Sequence, residues 1–260
     1  MGNLWLYALP DAALFLLFCG GTVALLLTFR FVVGRLRSAA PLASDIDFGV
    51  RSHGALFSAC TLVLAFCLVQ TLNNHRHAEA TVDAEASTLL AMDRVVTRAG
   101  DADLKPLREP LRAYAQSIIS EEWPAQAVDQ PSPRTEAVFN ALYARVMAVA
   151  RGDDSPETYA ELIRATDNLA QRREERLEAA EIALPSMFWV IVGFTLTIFA
   201  GISSLLMTSA FRAGVVSAQA AILGALLAAV FVNDEPFKGE TSIRPTAYVR
   251  FVDVFDREAK

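Results

Sequence analysis

The sequence predicts an all-α membrane protein with four transmembrane helices and a helical bundle inserted between the second and the third. Hydrophobic residues make up 53% of the 260 residues and the mean hydropathy is positive, which is typical of membrane proteins. Four apolar stretches are each close to the roughly 20 residues that cross a bilayer. Between the second and third stretches lies an acidic segment with helical periodicity.

The four apolar stretches define the predicted membrane part. We expect spans at Leu4–Phe29, Ala55–Leu72, Ala183–Met207 and Phe211–Val232. The first is a retained helix and not a signal peptide, because no basic region precedes it and Arg30, Arg35 and Arg37 follow it. Ala55–Leu72 is the shortest span and has the highest proportion of polar residues. The predicted organisation is a first helix pair (1–72), a soluble bundle (73–182), a second helix pair (183–232) and a C-terminal tail (233–260).

The soluble bundle is predicted from its charge and its apolar stripes. Segment 73–182 holds 20 Asp and Glu against 13 Lys and Arg, a net charge of about −7 where the whole chain carries −6. Apolar residues recur at helical spacing, which places them on one face of each helix. The stripes are Val82, Leu89, Met92 and Val96; Leu104, Leu107, Leu111, Tyr114 and Ile118; Val138, Leu142, Val146 and Val149; and Leu162, Leu169 and Leu177. We expect Leu107, Leu111 and Tyr114 to be buried.

The boundaries of the bundle helices follow from glycine, proline and capping residues. "RAGDAD" (98–103) ends one helix, and "EEWPAQAVDQPSP" (121–133) predicts a loop interrupted by proline. Ser155 is the expected N-cap of the last bundle helix, with Pro156 at its first position. That helix is predicted to continue into the third span.

The residues do not indicate an enzyme, a cofactor site or a metal site. "CGGT" (19–22) lacks the lysine of a phosphate loop. His75 and His77 are two residues apart, so they point to different faces of a helix. The three cysteines lie in apolar stretches and are expected to be core residues. Arg173 and Arg176, beside Glu174 and Glu178, predict a solvated charged face. Nucleic-acid binding is not predicted either.

The middle of each span lacks Asp, Glu, Lys and Arg. Proton-coupled pumps and transporters usually need such a group, so the spans favour a passive pore or a structural assembly.

Small residues predict how the spans pack, because they let helix backbones approach closely. The expected packing residues are Ser217, Ala221, Ala225 and Ala229, with Gly193 and Gly201 on the third span; Ala220, Gly224 and Ala228 form a parallel lane.

"NDEPFKGE" (233–240), directly after the fourth span, has two interpretations. Asn233, Pro236 and Gly239 are typical of a helix end. Alternatively, Asp234, Glu235 and Glu240 form an acidic collar beside a pore mouth. The first interpretation is favoured, because such breakers usually only end helices.

Three segments carry a resemblance to a known family. They are "LVLAFCLVQTLNNHRHAEATVDAEASTLLAMDR" after the start of the second span, "EEWP" (121–124) and "NDEPFKGE". The residues that carry it in the first segment are Ala65, Phe66, Ala78, Val82, Glu85, Ala86, Leu89 and Arg94. In this order the three segments resemble the bestrophin-like domain family of bacterial membrane proteins. The resemblance covers roughly residues 50–245. It implies a multi-pass protein of the bacterial inner membrane.

More remotely, four spans, a helical segment after the second and the "PF-G" pattern after the fourth resemble bestrophins. Bestrophins are pentameric anion channels with a narrow hydrophobic neck on the second membrane helix and a calcium clasp built partly from acidic residues after the fourth. This chain departs from that pattern, because its second span lacks an aromatic-rich neck and few acidic residues follow the motif. The resemblance implies a homo-oligomer, and a pentamer in particular. For a channel, we expect one face of the second span to line the pore, with Phe57, Thr61, Leu64, Leu68 and Thr71.

Two functions and two orientations stay open at this point. The protein is either an oligomeric passive ion channel or a non-catalytic membrane assembly protein with an acidic bundle that binds protein partners. The basic residues of the short connections, such as Arg51 and Arg212, place those connections in the cytoplasm and export the bundle. The resemblance to bestrophins implies a cytosolic bundle. The charge rule is slightly favoured, because the connections are short.

Overall fold

The computed structural model describes residues 4–36, 43–99, 104–150 and 156–258, and this part of the chain is all-helical without a strand. The helices are α1 (Leu4–Tyr7), α2 (Asp11–Leu36), α3 (Ala43–Ala99), α4 (Arg108–Ser117), α5 (Trp123–Gln126), α6 (Pro133–Ala150), α7 (Pro156–Glu181), α8 (Ser186–Leu206), α9 (Ala210–Asp234) and α10 (Thr246–Glu258). A 3₁₀ turn (Lys105–Leu107) precedes α4, and a π-helical turn (Ile118–Glu122) joins α4 to α5.

Four helical stretches of the described chain are long and apolar enough to cross a membrane. They include α2, the first part of α3, α8 and α9, which confirms the prediction of an all-α fold with four helices of membrane length. The expected first span is broken at Pro10, so the short α1 precedes α2. No proline interrupts residues 43–99, and α3 is accordingly one continuous helix of 57 residues.

The prediction of one long helix running into the third span was wrong. Helix α7 ends at Glu181 and α8 begins at Ser186. Pro185 has no backbone N–H and its extended conformation (φ −53°, ψ 139°) cannot continue a helix. The predicted loop 121–133 also begins later than expected, because the π-helical turn and α5 keep the chain helical to Gln126. The glycine stop in 98–103 and the cap at Ser155 fall outside the described residues.

The chain divides into two compact units. The first unit contains residues 1–74, 183–235 and 239–241. Helices α2 and α9 of this unit approach closely at Gly224. A Cβ atom added to Gly224 would lie 2.6 Å from both the Phe18 carbonyl oxygen and the Thr22 Oγ1. The Thr22 hydroxyl donates a hydrogen bond of 2.8 Å to the carbonyl oxygen of Ala220.

The second unit contains residues 75–182, 236–238 and 242–260. Its core contains residues of all four predicted stripes together with residues of α10, such as Tyr248 and Phe251, whereas Leu177 of the fourth stripe is half-buried and is not part of this core. The prediction that Leu107, Leu111 and Tyr114 are buried is confirmed. The C-terminal residues, expected as a tail, therefore contribute a helix to this core.

Candidate functional site

Six polar side chains form a buried network inside the second unit. They come from α3, α4, the π-helical turn, α7 and α10, and they are Glu85, Tyr114, Glu122, Arg173, Arg176 and Tyr248. Arg176 and Glu85 have no solvent exposure, and Arg173 is 7% exposed. We refer to these six side chains as the buried network.

Glu85 is the acceptor at one end of the buried network. One carboxylate oxygen accepts a hydrogen bond from the Tyr114 hydroxyl. The other accepts from the Arg176 Nε and from the Tyr248 hydroxyl, at 2.9 Å for the latter. Each donor belongs to a different helix, so Glu85 joins four helices at one point.

Glu122 is the acceptor at the other end. Arg173 donates to both of its carboxylate oxygens, at 2.8 and 2.9 Å, in a bidentate pair. Arg176 donates to the same carboxylate through Nη2, at 2.9 Å. Arg176 therefore bridges Glu85 and Glu122, while its Nη1 has no hydrogen-bond partner among the described residues.

The charges of the buried network balance. Two carboxylates face two guanidinium groups, which is the condition under which buried charges are tolerated. Burial is the largest influence on both tyrosines, and the Glu85 carboxylate is the next. Together they raise the pKa of Tyr114 and the pKa of Tyr248 well above the ordinary value of about 10. Both phenols are therefore held in the protonated form that donates to Glu85.

An aromatic cluster contacts this network at Tyr248 and Arg176. The Trp123 indole N–H donates a hydrogen bond of 3.0 Å to the Ile243 carbonyl oxygen. The Trp123 ring lies edge-on to Phe237 and Tyr248, with centroids 5.3 and 5.7 Å apart, and the Arg176 guanidinium lies 5.9 Å from its centroid. The "EEWP" segment thus supplies Glu122 and Trp123 to the interior of the second unit.

The predicted solvated face of α7 was wrong for Arg173 and Arg176. Glu174 and Glu178 are exposed, but both arginines point into the bundle. A signal was present in the sequence: residues 162, 166, 169, 173 and 176 recur at spacings of four and three, so the arginines continue the stripe that begins at Leu162. Their partners, Glu85 and Glu122, are 91 and 51 or more residues away, which no local pattern reveals.

The three acidic collar candidates have different surroundings. The buried Asp234 carboxylate accepts a hydrogen bond of 2.7 Å from the Leu184 backbone N–H. The exposed Glu240 accepts one of 3.1 Å from the Asp11 backbone N–H. Glu235 is half-buried at the end of α9. In the described ranges, no group of three His, Cys, Asp or Glu side chains has the arrangement of a metal site.

The "PFK" part of the same motif belongs to the second unit. Phe237 packs on Trp123, and the Lys238 ammonium donates a hydrogen bond of 2.7 Å to the Asp129 carboxylate. Gly239 has a positive φ of 81°, which favours glycine. The expectation that this motif ends the fourth helix agrees with the end of α9 at Asp234.

The expected pore face of α3 lies against other helices of the same chain. Leu64 and Thr71 are buried, and Phe57, Thr61 and Leu68 are half-buried. Leu64 belongs to the apolar core of the first unit, with Phe57 and Leu68 packed against that core. The adjacent face of α3 is apolar and exposed: the exposed fractions are 68% for Leu62, 74% for Phe66 and 58% for Val69.

The small-residue lanes of α9 differ in burial. Ala220, Gly224 and Ala228 are buried, and the first two contact α2 at Thr22. The lane of expected packing residues, Ser217, Ala221, Ala225 and Ala229, is half-buried. A Cβ on Gly201 would make an ordinary contact of 3.7 Å with Phe29, whereas one on Gly193 would have no heavy atom within 4 Å.

A polar contact that the sequence did not predict joins α3, α8 and α9. The His53 Nδ1 lies 2.9 Å from the Ser203 Oγ, and its Nε2 lies 2.7 Å from the Gln219 Oε1. Ser203 and Gln219 lie 150 and 166 residues after His53. Sequence spacing therefore gives no signal for this contact.

Comparison with known proteins identifies the family. The profile of the Bestrophin-like domain matches residues 16–248, which is most of the chain. A structure of a bacterial bestrophin homologue from Klebsiella pneumoniae with a single substitution is similar, with a TM-score of 0.67, 14% identity and coverage of 95% of this chain and 99% of that one. The structure of a bacterial bestrophin homologue from Klebsiella pneumoniae that was phased with zinc has a TM-score of 0.64 and 14% identity. The match covers 93% of this chain and 96% of that one. At this identity the structural similarity shows the fold alone.

A search of curated proteins found no match. The family profile nevertheless covers α3, the buried network as far as Tyr248, and the motif that follows α9. The chain therefore belongs to the Bestrophin-like domain family.

Proposed function

We propose that the protein is an oligomeric, passive ion channel in which α3 from each copy contributes an apolar constriction. The observation that carries this proposal is the exposed apolar face of α3, formed by Leu62, Phe66 and Val69, within a span that has no charged side chain between residues 55 and 72. Family membership supports it. The resemblance to bestrophins implies anions as the permeating ions and five copies in the ring.

The exposed face explains why the constriction is assigned there. A side chain that lines a pore must be accessible in the isolated chain, because the pore forms between copies. Leu64 and Thr71 do not meet this condition, whereas Leu62, Phe66 and Val69 do. Their spacing of four and three residues places them on one helical face. Repeated around a ring, they form a hydrophobic constriction that controls ion flow by dewetting.

The proposal is tested by ion flux through the purified protein in liposomes. Leu62→Ala and Phe66→Ala are expected to increase chloride flux above that of the wild type, because a wider constriction lowers the barrier to a hydrated ion. Leu64→Ala is the matched control, since it removes the same side chain from the packed face. It is expected to lower stability by about 2–5 kcal/mol without increasing flux. Parallel measurements with potassium determine the selectivity.

Two outcomes would contradict parts of this proposal. A larger flux in Leu64→Ala or Leu68→Ser than in Phe66→Ala would assign the constriction to the face with Phe57, Thr61 and Thr71. Absence of flux in the wild type and all variants, in vesicles that contain the intact oligomer, would reject the channel. The remaining candidate would then be a membrane assembly protein with partners for its acidic second unit, which carries 20 acidic against 13 basic residues in segment 73–182.

A further inference from the structure

The face of α3 that carries the proposed constriction continues beyond Val69. Asn73, Arg76 and Ala80 follow at spacings of four, three and four residues, and all three are exposed. Since an α-helix has 3.6 residues per turn, this spacing keeps them on the face that holds Phe66 and Val69. Helix α3 is uninterrupted through these residues. The two side chains that follow Val69 on this face are therefore polar.

Arg76 is the first charged side chain after the constriction. Residues 52–75 contain no Asp, Glu, Lys or Arg. Arg76 is seven residues after Val69, which is about 10 Å along the helix axis. The Cα–Cβ bonds of a helix tilt toward its N-terminus, which is here the direction of Val69. The positive charge therefore lies close to the end of the apolar face.

The Arg76 guanidinium is not neutralised by the described part of the chain, in which it forms no ion pair. Arg98, another exposed arginine of α3, differs because it donates to both carboxylate oxygens of Glu161, at 2.8 and 2.9 Å. The exposed acidic residues Glu79 and Asp83 follow Arg76 on α3. Both lie farther along the helix from the constriction than Arg76 does, so the charge closest to the constriction is positive.

Repetition around a ring turns this single charge into a selective element. Each copy contributes one guanidinium at the same distance from its own constriction residues. Rings of Arg or Lys favour anions in pores, and the low-dielectric walls formed by Leu62, Phe66 and Val69 focus the potential at the opening. Chloride is thereby concentrated at the end of the constriction, and potassium is depleted there.

We propose that Arg76 is a specificity-determining residue that forms a positively charged ring at the end of the constriction and concentrates inorganic anions there. This inference rests on the proposed channel function, and it assigns charge selection to a residue outside the apolar constriction.

The test measures chloride and potassium flux through the full-length protein in liposomes, for a series of side chains at position 76. Arg76→Lys should keep the wild-type flux, because it keeps the charge. Arg76→Gln should lower chloride flux about two- to tenfold at about 0.01 M salt without lowering potassium flux. Arg76→Glu should favour potassium over chloride. The effects should be smaller at about 0.15 M salt, because the Debye length falls from about 30 to about 8 Å.

Arg94→Gln is the matched control. Arg94 is an exposed arginine 18 residues after Arg76 on the same helix, which is five full turns and so the same face. It lies about 27 Å farther from the constriction, more than three Debye lengths at about 0.15 M salt. At that salt concentration Arg94→Gln should leave the ratio of chloride to potassium flux unchanged, whereas Arg76→Gln should still lower it.

The outcomes separate this inference from the channel itself. Flux through the wild type, with an unchanged ratio in Arg76→Gln and Arg76→Glu, would overturn the inference while the channel would stand. An equal loss of chloride and potassium flux in Arg76→Gln would mean a structural role and would also overturn it, as would an equal effect of Arg94→Gln. Absence of flux in the wild type would reject both proposals. Arg76 and Arg94 are exposed, so the variants should fold, which thermal unfolding and size-exclusion chromatography verify.

Discussion

Glu85 is a carboxylate without access to water, held by donors from α4, α7 and α10. An unpaired carboxylate could not remain charged in such a place. The position is stable because Arg176 supplies the compensating charge and two phenols complete the hydrogen bonding. Each helix of the second unit that contacts Glu85 must be correctly placed for this to hold, so the residue favours a single arrangement of the helices.

Removing the charge of Glu85 is expected to be strongly destabilising. Glu85→Gln leaves the Arg176 guanidinium buried without its nearest counter-charge, and breaking a buried pair typically costs about 3–5 kcal/mol. The free energy of unfolding of the second unit should fall by that amount, measured by chemical denaturation in detergent. Glu178→Gln is the surface control, with an expected change of less than about 0.5 kcal/mol. A similar stability of the two variants would mean that the network contributes little.

The two phenols give the second unit a defined dependence on pH. The pKa of Tyr114 and the pKa of Tyr248 are raised in the folded state, so the fold binds the phenolic protons more tightly than the unfolded chain. The resulting stability is complete below the ordinary pKa of about 10 and is lost as the pH rises toward the folded pKa values. We expect a loss of about 1.4 kcal/mol per pH unit for each phenol above pH ~10.

The measurement is unfolding free energy between pH 8 and about 11, compared with Tyr248→Phe. That variant removes one titrating phenol, so the slope above pH ~10 should be reduced by about half. An identical slope in the variant would show that other groups determine the alkaline stability.

For single residues, the sequence predicted the burial of apolar side chains far better than the burial of polar ones. Leu107, Leu111 and Tyr114 could be predicted because burial of a stripe follows from helical periodicity alone. Arg173 and Arg176 could not, because a buried arginine requires a partner, and those partners are distant in the chain. A charged residue on an apolar stripe therefore indicates a buried ion pair whose partner lies elsewhere in the chain.

Among the elements, α2 and α9 approach closely, and this contact depends on Gly224. Gly224→Ala is expected to destabilise the first unit, because the new Cβ would lie 2.6 Å from a backbone oxygen and 2.7 Å from the Cys19 Cα, and these atoms cannot move without shifting α2. Overpacking of this kind typically costs about 1–3 kcal/mol. Thermal unfolding in detergent should show a lower midpoint.

Gly193→Ala is the matched control for this prediction. It makes the same chemical change in another membrane-length helix, where no heavy atom lies within 4 Å of the new Cβ. Its unfolding midpoint should be unchanged or slightly higher, since alanine is the better helix former. If both variants behave alike, the contact at Gly224 is not close in the folded protein.

The helix boundaries show which element properties a sequence carries. Apolar length correctly indicated four membrane-length helices, and the absence of proline allowed α3 to continue for 57 residues. The break at Pro185 was missed because the apolar pattern resumes directly after it. The π-helical turn at 118–122 had no local signal in the sequence. The contacts that accompany it, those of Glu122 and Trp123, are made with residues far away in the chain.

At the scale of the whole molecule, the half-buried lane on α9 remains available for contact between copies. We propose that Ala225 and its neighbours in this lane pack against another subunit, as small residues do in membrane helix pairs. Ala225→Leu should then reduce the oligomer to smaller species in detergent, measured by light scattering after size-exclusion chromatography. Ile222→Leu is the control, because Ile222 is already a large and exposed side chain. An unchanged oligomer in Ala225→Leu would place the lane against lipid.

The long separations within the buried network set the time at which the second unit can be completed during synthesis. Tyr248 is 163 residues beyond Glu85, and ribosomes add about 5–20 residues per second. For roughly 8 to 33 s after Glu85 is made, the chain cannot supply its third donor. Throughout that interval the nascent bundle has an incompletely bonded carboxylate and lacks the α10 side chains of its core. The second unit can therefore complete its core and its buried network only after α10 has been synthesised, and until then its unfinished apolar surface is open to proteolysis and to wrong contacts.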